Sequence, residues 1–210
     1  IRNRIAESAS VSEVGLLNAG LLIMNSYVGL VLSALGSDYL PRLSSVIRSD
    51  DKLLKVLYKQ YEVILIIVVP ILVLLMVFSP SLVTILFTSQ FVGLESFIRI
   101  FVFASLFKSL SWVISYVYIA KSKMRLFFWA EIIFNLVIAL AFFSETVSIS
   151  ISLVAISFTL AYMVYFIVVL AFLKSILGRL KLFFLVRKLI LPLLSMGLLF
   201  KFENNLMMSI

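Results

Sequence analysis

The sequence predicts an all-α fold, a polytopic transmembrane bundle of about six spanning helices. Hydrophobic residues make up 63% of the chain and its mean hydropathy is +1.21, well above the roughly half-apolar composition of soluble domains. Charged residues are only 13% and gather between long uncharged runs, as loops do between membrane spans. No segment reads as a strand and no internal repeat is evident.

The spans follow in order. Uncharged stretches run from Val14 to Ser37, from Val63 to Leu94 and from Thr146 to Leu173, each long enough for the roughly 20 residues a spanning helix needs. The stretch from Phe97 to Ala120 is apolar except for Arg99 and Lys108, and that from Leu126 to Phe143 except for Glu131. Both read as helices carrying rare intramembrane charge. The last stretch, Leu189 to Phe200, is short, and it spans by recruiting Phe183 to Lys188 while Arg187 and Lys188 snorkel to the interface. Residues 1–210 thus form one transmembrane bundle with spans at about 14–37, 63–87, 97–120, 126–143, 147–173 and 183–200.

Lys and Arg set the orientation, because they are retained on the cytoplasmic side. Arg42, Arg48, Lys52, Lys55 and Lys59 follow span one; Lys121, Lys123 and Arg125 follow span three; Lys174, Arg179, Lys181, Arg187 and Lys188 follow span five. The loops after spans two and four hold only Glu95 and Glu145. The first, third and fifth loops are therefore expected inside and both ends outside, against which Arg2 and Arg4 weigh mildly. The net charge of +8 is mostly this topological signal and does not indicate nucleic-acid binding. Between Asp50 and Tyr61, apolar Leu53, Leu54, Leu57, Tyr58 and Tyr61 alternate with Lys52, Lys55 and Lys59 at helical spacing. That pattern suits either a helix lying on the anionic inner leaflet or a solvated connector.

With no Cys and no His, disulfides, thiolate metal sites and the usual transition-metal ligands are excluded, and no cofactor is expected. The chain opens Ile1-Arg2-Asn3-Arg4 with no Met and no signal peptide, so either an upstream segment has been removed or the chain is part of a longer product. Pro70 lies inside span two and Pro80 near its outer end, so a kink is expected there, with Ser79 and Ser81 available to meet the lost backbone bonds. Gly29, Ser33 and Ser37 have small-xxx-small spacing, which permits close helix approach or is ordinary bundle packing.

Lys108 is the leading candidate site residue, because it sits at about the bilayer midplane, where a lysine costs several kcal/mol unless it faces protein or water. At about 100° per residue, Ala104, Lys108, Ser111, Ser115 and Tyr118 share a face suited to lining a hydrated cavity. Arg99 points the opposite way near the outer interface, where snorkelling accounts for it. Glu131 and Asn135 share a face of span four. Glu131 and Lys108 either satisfy each other within the bundle, by tilt or a bridging water, or act separately, Lys108 on an anionic substrate and Glu131 in coupled proton or cation movement. Catalysis lacks material: there is no nucleophile–base pair, no phosphate-cradling Gly loop and no sizeable outer loop, so an enzyme is not expected.

The order of features resembles a known family. Glu13-Val14-Gly15-Leu16-Leu17-Asn18-Ala19-Gly20, followed by Tyr39-Leu40-Pro41-Arg42-Leu43-Ser44, resembles the paired motifs of bacterial polysaccharide exporters and O-antigen flippases. These belong to the multidrug/oligosaccharidyl-lipid/polysaccharide exporter superfamily. Pro70, Ser79-Pro80, Ile85-Leu86-Phe87 and Phe91 resemble the family's next helix, and Ala120-Lys121-Ser122-Lys123 with Asn135 resembles its "A.GK … N" turn and helix. Thr88 and Ser122 stand where the family has Gly. The similarity covers most of residues 10–140.

Family members have two six-helix lobes, so the resemblance implies that this chain is a C-terminal lobe and that an N-terminal lobe or a second copy is its partner. It further implies alternating access in the bacterial inner (cytoplasmic) membrane, with membrane lipid around it. The substrate would be a lipid-linked (polyprenyl diphosphate) oligosaccharide whose anionic head occupies a cationic cavity. Lys108 suits that head-group role, with Ser111, Ser115 and Tyr118 beside it, Glu131 and Asn135 as coupling candidates and Pro41-Arg42 as a cytoplasmic-end motif. Three alternatives stand beside this reading. A multidrug cation antiporter would favour acidic cavity residues, and a polysaccharide polymerase or ligase would carry a large outer loop. A non-transporting fragment or assembly subunit would fit the missing half.

Overall fold

The computed structural model describes residues 11–86, 94–143, 151–177 and 182–207. They form seven α-helices and no strand: α1 (Val11–Ser45), α2 (Asp50–Val77), α3 (Ser79–Leu86), α4 (Leu94–Ala120), α5 (Met124–Phe143), α6 (Ile151–Leu177) and α7 (Leu182–Met207). Among the described residues, five of these are long and apolar enough to cross a membrane, namely α1, α2, α4, α5 and α6. The last expected span falls within α7, whose 26 residues bring in Arg187 and Lys188 near the start. The chain is a multi-pass helical membrane protein. Arg2, Arg4, Phe87, Thr88, Phe91, Glu145, Arg179 and Lys181 lie outside the described residues.

Helix α4 is the axis of the bundle. It packs against α6 along most of its length and against α1 and α2 on its other sides, whereas α5 leans mainly on α6, and α7 on α2. Side-chain pairs fix the directions. Tyr39 Oη at the end of α1 donates to the Val113 carbonyl near the end of α4 at 3.0 Å, and the Gly20 backbone lies against Phe97 near the start of α4, so these two helices run together. Phe134 against Tyr162 and Glu131 against Tyr165 run α5 antiparallel to α6. Lys121 after α4 meets Asp50 at the start of α2 at 2.6 Å. These pairings agree with the alternation that the basic loops imply.

The basic end is tied more tightly than the sequence suggests. The expected first loop is mostly helix: α1 runs on through Pro41 to Ser45, a turn at 46–49 reverses the chain, and α2 starts at Asp50. Leu53, Leu57 and Tyr61 are fully buried in protein, so the amphipathic stretch lies neither on the leaflet nor in solvent. Its apolar face completes the bundle, and the Tyr61 hydroxyl donates to the Leu185 carbonyl of α7 at 3.1 Å. Tyr39, Tyr61 and Tyr118 all follow this pattern. Each buries its ring and gives its hydroxyl proton to a main-chain carbonyl on another helix, which satisfies a polar group that lipid could not.

Other expectations are corrected by packing. Helix α2 passes through Pro70 and ends at Val77; the break falls at Phe78, and α3 then begins at Ser79-Pro80. The Ser79 hydroxyl accepts from Arg99 Nε at 3.2 Å. Arg99 is buried, at 4% exposure, and does not snorkel. The close helix approach occurs at Gly20 and Gly36, where an added Cβ would meet the Phe97 ring at 2.5 Å and Tyr116 Oη at 2.8 Å. At Gly29 nothing lies within 4 Å, and Ser33 and Ser37 are exposed.

The turn joining α4 to α5 places Ser122 in a backbone conformation that favours glycine. Ser122 holds φ at 54°, Lys123 N–H donates to the Tyr118 carbonyl at 2.8 Å and Ser122 N–H to that of Ile119 at 3.0 Å. This is a Schellman helix ending with a left-handed residue after the helix, the position that glycine occupies most easily.

Candidate functional site

Lys108 and Glu131, on different helices, face one cleft of about 230 Å³ lined from α4, α5 and α6. The α4 wall comprises Lys108, Trp112, Ser115, Tyr116 and Ile119, one helical stripe at about 100° per residue. Phe127, Glu131 and Phe134 come from α5, Tyr162 and Tyr165 from α6. Helix α5 can present this face because it packs mainly on α6 and touches α4 only lightly.

The two charges do not satisfy each other; among the described residues they form no ion pair. Lys108 Nζ donates to Asn25 Oδ1 of α1 at 2.8 Å and lies 5.9 Å from the Tyr162 ring centroid, within reach of the ring's negative face. Glu131 Oε1 accepts from Tyr165 Oη at 2.7 Å. With the Tyr165 proton committed to the carboxyl group, Ser115 Oγ at 3.3 Å is the donor to Tyr165. A relay from α4 through α6 to α5 thus ends on Glu131. Tyr165 is buried, while Lys108 and Glu131 are half-buried. The cleft therefore holds a cation and a carboxyl group, each with a neutral partner, between aromatic walls.

Of the other residues singled out by sequence, Ser115 joins this site. Ser111 and Tyr118 do not, because they sit about 60° and 80° round α4 from Lys108, on the side packed in the core. Ser111 Oγ donates to the Phe107 carbonyl of its own helix at 2.8 Å, and Tyr118 donates to the Val169 carbonyl of α6. Asn135 is exposed and gives its amide to the Glu131 carbonyl one turn back at 2.8 Å, so it shares the turn but not the cleft. Pro41 and Arg42 lie at the basic end of α1, where Arg42 Nη1 meets Asp38 Oδ2 at 2.8 Å in an i,i+4 pair. Helical spacing and charge alone do not mark Asn25, Trp112, Tyr116, Tyr162 or Tyr165. Asn25 carried a usable signal, being a polar residue well inside an uncharged span.

Fold and site define a multi-pass helical membrane protein with a charged, aromatic-walled cleft inside its bundle. Residues 4–97 match a family model described as "Polysaccharide biosynthesis protein". The match spans just under half of the 210 residues and includes the Glu13–Gly20 and Tyr39–Ser44 motifs. It supports the resemblance at the level of polysaccharide biosynthesis proteins. No curated protein and no solved structure matches the chain.

Proposed function

We propose that the chain is one lobe of a transporter that moves a lipid-linked oligosaccharide across the bacterial inner membrane by alternating access, for O-antigen or other surface polysaccharide synthesis. The observation that carries this reading is the cleft, in which a midspan lysine and a carboxyl group face the same space without neutralising each other. Flat aromatic faces suit the C–H faces of sugar rings, Glu131 suits their hydroxyls, and Lys108 suits the phosphate that links sugar to lipid. Ionisable groups kept inside a bundle and facing a cavity mark substrate and ion paths. The family match supports the polysaccharide context. Glu131 is also what a multidrug cation antiporter would use, but Lys108 in the same cleft opposes a cationic substrate.

The test is Lys108→Gln and Lys108→Glu in a surface-polysaccharide complementation assay. Export should fall with both variants while the protein remains at normal levels in the membrane, and more with Lys108→Glu, which reverses the charge. Undiminished export in both would remove the reading.

A further inference from the structure

A second cavity, away from the cleft, lies between α2 and α7 and has a volume of about 770 Å³. Its floor is apolar, built from Leu65, Ile66 and Val69 of α2 and Leu191 of α7. Ile66 and Leu191 are among the most exposed large apolar side chains, at 72% and 74%. One end is charged: Glu62 and Lys188 form an ion pair across the two helices, and Arg187 lies beside them. Arg187 is exposed and pairs with no carboxylate among the described residues. The two helices run in the same direction, since Tyr61 meets Leu185 and Glu62 meets Lys188, so this charged end is on the side of the basic loops. At the other end stand Pro70 and Pro192, one on each helix. Lacking an N–H, neither can donate to the carbonyl four residues earlier, that of Ile66 or of Lys188, as a helical residue normally does. Both of those residues line the groove.

We infer that this groove is a binding site for an anionic glycerophospholipid of the surrounding bilayer, with the headgroup phosphate at Arg187 and an acyl chain along Leu65, Ile66, Val69 and Leu191. From Glu62 to Pro70 the groove descends about 12 Å at 1.5 Å per residue, less than half of the roughly 30 Å hydrocarbon thickness. It therefore occupies one leaflet, the depth a resident lipid fills and too short for a passage across the membrane. Basic pockets between spanning helices on the cytoplasmic side recognise anionic headgroups in this way. Lys188 contributes less than Arg187 because Glu62 already balances its charge. The inference does not rest on the transport reading.

The experiment measures lipid retained by the purified full chain after exchange from micelles containing phosphatidylglycerol or phosphatidylcholine of identical acyl chains, read by native mass spectrometry. One effective basic group near the headgroup favours phosphatidylglycerol by about fivefold. Arg187→Gln should bring retention to parity, whereas Glu62→Gln, which frees Lys188, should raise the preference by about a further fivefold. Opposite shifts from two single neutralisations separate charge recognition from general loosening of the bundle. Val69→Trp, which fills the floor, should reduce retention of both lipids. Equal retention of the two lipids by the unaltered protein, or a preference unmoved by Arg187→Gln and Glu62→Gln, would overturn the assignment. So would displacement of phosphatidylglycerol by a polyprenyl phosphate added to the same micelles, which would make the groove a substrate site.

Discussion

Helices α4 and α5 are joined by three residues, and each carries ionisable side chains within an otherwise apolar run, yet they hold opposite places in the bundle. In α4, 78% of the spanning stretch is buried inside protein; in α5 the figure is 11%. A soluble protein would mark that difference by making the outer helix polar. In a bilayer both surroundings are apolar, so Leu110 in the core and Leu140 on the rim come from the same alphabet. What separates the two helices is the fate of their polar groups. On α4, Arg99 is held in the core by Ser79, and Tyr118 by Val169. On α5 Glu131 turns back toward α4 and is met by Tyr165. Polar side chains, not apolar ones, record which way each helix faces.

The largest expected effect tests that contrast directly. Leu110 is fully buried and Leu140 is 60% exposed. Leu110→Ala should destabilise the bundle by about 2–5 kcal/mol through the cavity it leaves, since the closely packed neighbours relax only partly. Leu140→Ala, facing lipid that flows into the space, should cost less than about 1 kcal/mol. Reversible unfolding in mixed micelles reads both values, and equal losses would break the distinction between core and rim.

The packing of α1 on α4 provides the next comparison, because its glycines are not equivalent. Gly36→Ala drives a methyl group into Trp112 and Tyr116, at 2.9 and 2.8 Å, and overpacking of this kind costs about 1–3 kcal/mol. Both rings also wall the cleft, so under the proposed transport role the same variant should lower export beyond its effect on stability. Gly29→Ala, in open space on the same helix, should gain up to about 1 kcal/mol in helix propensity. Unfolding midpoints of the two variants should move in opposite directions.

Much of this was legible in the sequence, and the remainder has identifiable causes. Uncharged run length located the helices, and the basic residues gave the alternation that the tyrosine and aromatic pairings follow. Lys108 stood out because a midspan lysine needs an enclosed face, and the structure gives it Asn25 and the cleft. Ser111 and Tyr118 were placed on the lysine's stripe by helical angle alone. They stand about 60° and 80° round α4 from Lys108, on the side that α6 covers, and a one-dimensional pattern does not record which neighbour does the covering. Arg99 differs for a related reason: its partner Ser79 opens the helix that follows the break at Phe78, twenty residues earlier, and snorkelling is the default only when no such partner exists. The Asp50–Tyr61 pattern suits either a leaflet helix or a solvated connector, yet protein receives its apolar face, because apolar residues at helical spacing look the same whatever surrounds them.

A smaller effect tests how α5 is held at the rim. Tyr165→Phe removes the hydroxyl between Ser115 and Glu131 and should cost roughly 1 kcal/mol, the net value of a typical hydrogen bond. Its consequence for α5 should exceed that for α4, because α4 retains its core contacts. Cysteine accessibility at Phe127 should rise in the variant while that at Val113 stays unchanged.

The smallest effect concerns the hinge between the two helices. Ser122 pays a steric penalty of roughly 1–2 kcal/mol for its left-handed backbone, because Cβ crowds the carbonyl oxygen at φ 54°. Glycine removes that penalty but loses about 0.5–1 kcal/mol more backbone entropy on folding. Ser122→Gly should therefore stabilise the chain by a net amount below about 1 kcal/mol, and Ser122→Val, branched at Cβ, should destabilise it. The Schellman bonds from Ser122 and Lys123 come from the main chain, so the serine side chain is not needed for the turn. If Ser122→Gly instead lowers stability, the hydroxyl has a role at the joint, and the angle between buried α4 and peripheral α5 depends on that side chain as well as on backbone conformation.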